Sequence, residues 1–280
     1  MSAQTVPTQY VSLNGTKIAY RRFGKPSALH LLFLTHFRGT MDLIDPLLLN
    51  SIAASRSLIL LDNAGVGHSS GAIQPTIQEA GSTVVNFLDA IGVPKVDLLG
   101  FSMGGFTAQS IVVDYPHVVN KLVLAGTQSS YTEGFVAPDP AVMAEAGRDE
   151  HPTEEVMMDL FFYPSNTSRA LGHAWWQRIK ERHVSGEERT TFVDVAGGRV
   201  QNEAISKFVS DPNFFGKLEQ VEKPILVTNG KRDVLTPTAN SWLLLQRLNN
   251  TQLHIYPDSG HAHLYQVPEK YAKQLDLFLD

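Results

Sequence analysis

The 280-residue chain contains no cysteine. Disulfides, zinc–thiolate sites, iron–sulfur clusters and a thiolate nucleophile are therefore excluded. It also lacks runs of like charge: 23 Lys and Arg stand against 28 Asp and Glu, for a formal net charge of −5. A nucleic-acid groove or an anionic membrane surface needs clustered Lys and Arg, so neither partner is expected. Long apolar runs are missing as well; stretches such as "LHLLFLT" are too short to cross a bilayer. The opening "MSAQTVPTQYVSLNG" has no charged segment followed by an apolar one. No signal peptide is read, and a soluble, cytoplasmic protein is expected. There is no internal repeat or low-complexity tract. No ligand cluster such as H-E-x-x-H occurs, so neither a metal nor an organic cofactor is expected.

What is present is enough apolar residue, 43% of the chain, for a sizeable core. "YVSLNGTKIAYRRFG" reads as a hairpin with Asn14-Gly15 at its turn. Apolar strands then alternate with helical patterns: "ALHLLFLT", "SLILLD", "KVDLLGF" and "KLVLAGT" are separated by "DLIDPLLLNSIAA", "TIQEAGSTVVNFLDAIG" and "MGGFTAQSIVVDY". Continuous apolar strands between helices predict a mostly parallel sheet covered on both faces. Residues 128–215 break the pattern with helical stretches only, the clearest being "TEEVMMDLFFY", "SNTSRALGHAWWQRIKERH" and "VQNEAISKFVS". Alternation resumes with "PILVTNG", "TANSWLLLQRLN", "QLHIYPD" and "HLYQVPEKYAKQLDLFL". The expectation is one α/β domain formed by 1–127 and 216–280, interrupted by an all-helical insertion over 128–215.

Gly100-Phe101-Ser102-Met103-Gly104 fits G-x-S-x-G between a predicted strand and a predicted helix, the context that motif requires. Gly100 and Gly104 allow a sharp bend, and Gly105 lets the helix lie close to the sheet. The Ser102 hydroxyl then projects at the carboxyl end of the strand, the ligand edge of an open α/β sheet. The Met103 N–H lies at a helix N-terminus, suited to an anion. A serine hydroxyl is a weak nucleophile, so this reading requires a base and an acid that orients the base. His261, after the Gly260 turn in "YPDSGHAHLYQVPE", is the candidate base, with His263 as competitor. Asp233 in "ILVTNGKRDVLTP" is the candidate acid, and Asp258 the runner-up. Asp62 comes too early for that order and reads as structural.

These segments resemble the α/β-hydrolase superfamily, in particular its small esterases, lactonases and cofactor-free haloperoxidase-like enzymes with a helical cap. The resemblance spans nearly the whole chain and rests on "GFSMGG", "NGKRDVLTP" and "DSGHAHLYQVPE", in the family's order of nucleophile, acid and histidine. "LDNAGVGHSSG" is similar to the family's D-x-R-G-x-G-x-S loop, with Ala64 where Arg is usual. The family's His-Gly after the third strand falls on Thr35-His36 of "LFLTHFRGTMD". That register implies Phe37 as the second backbone oxyanion donor beside Met103; a one-residue shift selects Arg38.

The insertion is expected to fold over the edge that bears Ser102. Trp175 and Trp176, adjacent on a helix, cannot face the same way; one of them is expected to contribute to an aromatic substrate pocket. The expected activity is hydrolysis of a hydrophobic carboxylic ester or lactone through Ser102, His261 and Asp233. Serine at the elbow disfavours chemistry that needs a carboxylate nucleophile. Perhydrolysis and carbon–carbon bond hydrolysis use the same constellation, and a slow-turnover ligand receptor on this fold is the rival of another class.

Overall fold

The computed structural model describes residues 1–148 and 152–280. The first elements are β1 (Gln9–Leu13), β2 (Thr16–Gly24), β3 (His30–Leu34), α1 (Pro46–Ala53), β4 (Ser57–Leu61), α2 (Ile77–Ala90), β5 (Val96–Phe101), α3 (Met103–Asp114) and β6 (Val119–Ala125). Next come α4 (Pro140–Arg148), α5 (Glu154–Phe161), α6 (Asn166–Arg178), α7 (Val195–Val209) and α8 (Phe214–Leu218). The chain closes with β7 (Ile225–Gly230), α9 (Thr238–Arg247), β8 (Thr251–Tyr256), α10 (His263–Gln266) and α11 (Pro268–Leu279).

The strands form one eight-stranded sheet in the order β1-β2-β4-β3-β5-β6-β7-β8. β1–β2 and β2–β4 are antiparallel; the other pairings are parallel. Asn14 and Gly15 take φ of 49° and 88°, the paired left-handed geometry that a two-residue hairpin turn demands. Because side chains alternate along a strand, successive residues feed different cores. Leu31 and Phe33 of β3 and Leu99 and Phe101 of β5 join α1, α11 and the helical insertion on one face. Leu32, Leu34 and Leu98 join α2, α3 and α9 on the other.

Local chemistry sets the helix ends. Thr76 accepts the Glu79 N–H and donates its hydroxyl to the Glu79 carboxylate, a reciprocal cap on α2. Asp45 caps α1 ahead of Pro46 and also receives a two-pronged ion pair from Arg178 of α6, at 2.9 and 2.6 Å. That contact ties the insertion to the sheet domain.

Three boundaries differ from the sequence expectation. α7 starts at Val195, ahead of "VQNEAISKFVS", because Asp194 caps it through the Gly197 N–H. The last helix is broken at Val267 (φ −131°, ψ 57°), since a residue before proline avoids helical backbone. The expected end of the insertion, residue 215, falls inside α8, whose Phe214, Phe215 and Leu218 pack into the core beneath the sheet. Among the described residues no helix is long and apolar enough to cross a membrane.

Candidate active site

β5 runs directly into α3 through Ser102, whose φ of 55° and ψ of −119° are unusual for a residue with a side chain. Its surroundings hold this conformation. The Ser102 N–H donates to the Ala125 carbonyl at 2.9 Å, while the Ser102 carbonyl accepts from the Gly105 N–H at 2.8 Å and the Thr127 hydroxyl at 3.0 Å. A side chain at Gly104 would run into the backbone carbonyl of Leu34 at the end of β3, so glycine there sets how closely β3 and the elbow approach. Ser102 is 9% exposed and borders a cavity of about 1020 Å³.

His261 borders the same cavity from the loop between β8 and α10. Its Nδ1 lies 2.7 Å from Asp233 Oδ2, and its buried Nε2 has no hydrogen-bond partner among the described residues. Asp233 follows β7 in a tight turn. Its Oδ1 accepts the N–H groups of Leu235 and Thr236, both at 2.9 Å, and its Oδ2 accepts the Thr236 hydroxyl at 2.6 Å. Burial alone would push the Asp233 carboxyl up, but the His261 imidazole and the Thr236 donors outweigh it and hold the group below the usual range. Asp233 is thus an anion fixed by four donors, one of them the imidazole. Thr236 is a partner the sequence reading missed; the Asp-x-x-Thr spacing of a side-chain-capped turn was its signal.

His263, the competing histidine, faces inward. Its Nδ1–H donates to the His261 carbonyl at 3.0 Å, and its Nε2 accepts the Thr228 hydroxyl at 2.9 Å. Burial pushes its imidazole down to about 3, so it is a neutral brace for the His261 loop. Asp258 lies in the same loop with φ of 50°, and its carbonyl accepts from Gln266 at 2.7 Å. Asp62 accepts the N–H groups of Met41 and His68, at 2.7 and 2.9 Å, away from Ser102.

The turn 36–39 follows β3, the strand paired with β5, and His36, Phe37 and Arg38 line the same cavity. Arg38 has φ of 58° and donates its N–H to the Gln201 side-chain oxygen at 2.8 Å. The N–H groups of Phe37 and Met103 have no acceptor among the described residues. His36 stands edge-on to Phe101 and Phe161, with ring centroids 5.6 and 5.2 Å away, and donates Nδ1–H to the Phe37 carbonyl at 2.9 Å. Burial lowers its imidazole to about 4, against the opposing pull of that carbonyl, so the ring is neutral.

The cavity wall is mostly apolar, with Phe106, Phe135, Met157, Leu160, Phe161 and Phe192 prominent. α7 adds a stripe at helical spacing through Arg199, Asn202 and Ser206. Neither Trp175 nor Trp176, one of which was expected to contribute to the pocket, is among the residues that line it. Trp175 is fully buried and stacks on Tyr265 at 5.6 Å, and Trp176 stacks on Phe192 at 6.4 Å. The reason for Trp175 is close docking of α6: Gly172 lies against Met158 and Phe162 of the α5 end, which takes Trp175 into the core, while Trp176 stays half-buried.

A family model described as alpha/beta hydrolase fold matches residues 30–266. A solved alpha/beta hydrolase fold protein from Chitinophaga pinensis is similar at 32% identity and a TM-score of 0.89, covering 100% of this chain and 99% of that one. A poly(3-hydroxyalkanoate) depolymerase of Ectopseudomonas oleovorans is 27% identical over 92% of this chain and 87% of its own length. A 2-hydroxy-6-oxononadienedioate/2-hydroxy-6-oxononatrienedioate hydrolase of Klebsiella pneumoniae is 28% identical over 84% and 79%. With the match covering most of the chain and the sheet order now described, the chain belongs to the alpha/beta hydrolase fold family.

Proposed function

We propose that this hydrolase-family enzyme cleaves a hydrophobic carboxylic ester or lactone through a Ser102–His261–Asp233 triad. One observation carries the reading. His261 is held by the Asp233 anion through Nδ1, its Nε2 has no partner among the described residues, and His261 lines the same cavity as Ser102. An imidazole so oriented is a base on the cavity side alone.

The steps follow. Ser102 Oγ bonds to the substrate carbonyl carbon as its proton passes to His261 Nε2. The carbonyl π electrons move to oxygen, where the Met103 and Phe37 N–H groups hold the anion. Collapse breaks the bond to the leaving oxygen, which takes the proton from His261. Water then attacks the acyl carbon as its proton passes to His261 Nε2; the bond to Ser102 Oγ breaks, Oγ takes that proton, and the carboxylic acid leaves. Asp233 keeps Nδ1 protonated and stabilises the imidazolium. The apolar wall suits a small-molecule substrate with an alkyl or aryl acyl group.

Ser102→Ala should remove aryl-ester turnover and covalent labelling by a fluorophosphonate. A mutant that labels as fast as the wild type would sink the assignment. The similarity to the Klebsiella dienedioate hydrolase motivates a second reading, carbon–carbon bond hydrolysis by the same residues. Parallel assays on aryl esters and β-diketones separate the two: a larger kcat/KM on the diketones favours the second.

A further inference from the structure

The turn that faces Ser102 offers two backbone N–H groups, on Phe37 and Arg38, and the insertion takes one of them. Gln201 on α7, itself buried, accepts the Arg38 N–H at 2.8 Å. Two more bonds run between this turn and the segment leading into α7. The Val193 N–H donates to the Arg38 carbonyl at 2.9 Å, and Arg38 Nε–H donates to the Val193 carbonyl at 2.6 Å. A few residues on, the Thr190 N–H donates to Asp42 at 2.8 Å. Gly198 leaves room for the Arg38 side chain, which a Cβ there would meet at 3.1 Å.

These contacts fall on a residue with φ of 58°, a backbone region that L side chains avoid. Such a conformation persists only where its surroundings over-determine it. Within the turn, the Gly39 N–H donates to the His36 carbonyl at 2.9 Å, a bond that does not by itself fix Arg38. His36 Nδ1–H adds a bond to the Phe37 carbonyl from inside the turn, and Gln201 and Val193 add theirs from about 155 to 163 residues away.

We infer that Gln201 is a positioning residue for the oxyanion hole: by engaging the Arg38 N–H it locks the turn so that the Phe37 N–H is the one presented to the cavity. The insertion is therefore part of the machinery that stabilises the transition state, besides being a wall of the pocket. This inference rests on the serine-hydrolase reading above.

The test uses the full-length protein and three variants. Gln201→Met keeps the length of the side chain and removes the acceptor; Gln201→Glu keeps an acceptor; Gln201→Asn shortens its reach. The measurements are the fluorophosphonate labelling rate, kcat and KM on an aryl ester, and the inhibition constant of a trifluoromethyl ketone. Losing an oxyanion donor outright costs about 10²–10³ in rate, so a merely unfixed donor should cost roughly 10- to 100-fold. Gln201→Met should lower kcat and labelling by that factor with KM within about twofold, and weaken the ketone in parallel, since only the transition state uses the donor. Gln201→Glu should stay within a few-fold of wild type.

Undiminished or faster labelling of Gln201→Met would mean that Gln201 only occupies the Arg38 N–H, and it overturns the inference. So does a Gln201→Glu variant as impaired as Gln201→Met. If Gln201→Met does not fold, Gln201→Asn carries the same comparison with Gln201→Glu. A wild type that takes no label overturns the Ser102 reading and this inference together; a labelled wild type with an unaffected variant overturns this inference alone.

Discussion

The two sides of the cavity are built by different means. The Ser102 side is local: strand, bend and helix are consecutive, and the bonds that fix Ser102 come from Ala125, Gly105 and Thr127 on adjoining parts of the sheet domain. The facing turn at 36–39 has a single internal backbone bond and depends on Val193 and Gln201, far away in sequence. A side built from consecutive residues survives changes elsewhere. A side clamped from afar inherits the stability of its clamp.

The comparison breaks most severely at the point where the two sides touch. Gly104→Ala places a methyl against the Leu34 carbonyl and wedges the elbow away from the strand that leads to the turn. On the proposed mechanism this displaces the Met103 and Phe37 N–H groups from the oxyanion, and kcat/KM should fall by about 10³, or about 4 kcal/mol of barrier, in ester assays. A loss of less than tenfold would show that the close approach is dispensable.

Arg178→Met tests the clamp. It leaves the Asp45 carboxylate buried without its ion pair, a change that costs about 3–5 kcal/mol in such sites. Urea unfolding should register this, and exchange protection should drop in the insertion ahead of the Ser102 elbow.

His263→Ala separates brace from base. It strands the His261 carbonyl and leaves the Thr228 hydroxyl with Tyr271 as its remaining partner, and about 2 kcal/mol of stability should go. His261→Ala should instead remove turnover altogether, with a stability loss of its own because the buried Asp233 anion is left without its imidazole.

The mildest test is pH. His36 is lowered from 6.5 to about 4, chiefly by burial. Its neutral form is favoured in the fold, so its contribution is complete above pH 6.5 and is lost as pH falls toward 4. His36→Phe should therefore gain on wild type by up to roughly 1.4 kcal/mol per pH unit over that window. A difference that does not change with pH would show that His36 takes up a proton within the fold. The measurement is urea unfolding of both proteins at pH 7, 6, 5 and 4.

How much of this could be read from sequence follows the same division. The alternating strands, the hairpin at Asn14-Gly15 and the bend at Ser102 are encoded by neighbouring residues, and the sheet and elbow were accordingly legible. The pairing of Asp233 with His261 was anticipated from chain order, although its geometry depends on where β7 and β8 end. The register of "THFRGT" implied Phe37 over Arg38, but it could not reveal that Gln201 accepts the Arg38 N–H. The tryptophans misled for a related reason. Aromatic spacing on α6 says that a face is buried, but only Gly172, Met158 and Phe162 reveal that it is buried against core.

One contact limits how the pocket can be remodelled. The Ala262 N–H donates to the Phe161 carbonyl at 2.9 Å, and Gly260 lies against the backbone of Phe161 to Tyr163. The end of α5 is thus both pocket wall and support for the histidine loop. Attempts to enlarge the cavity at Phe161 will retune His261 along with the cavity's shape. Replacements at Phe135 or Met143, which have no bond to that loop, can change size preference alone. A library meant to shift specificity without losing turnover should therefore start from residues 135–143 and leave the α5 end intact.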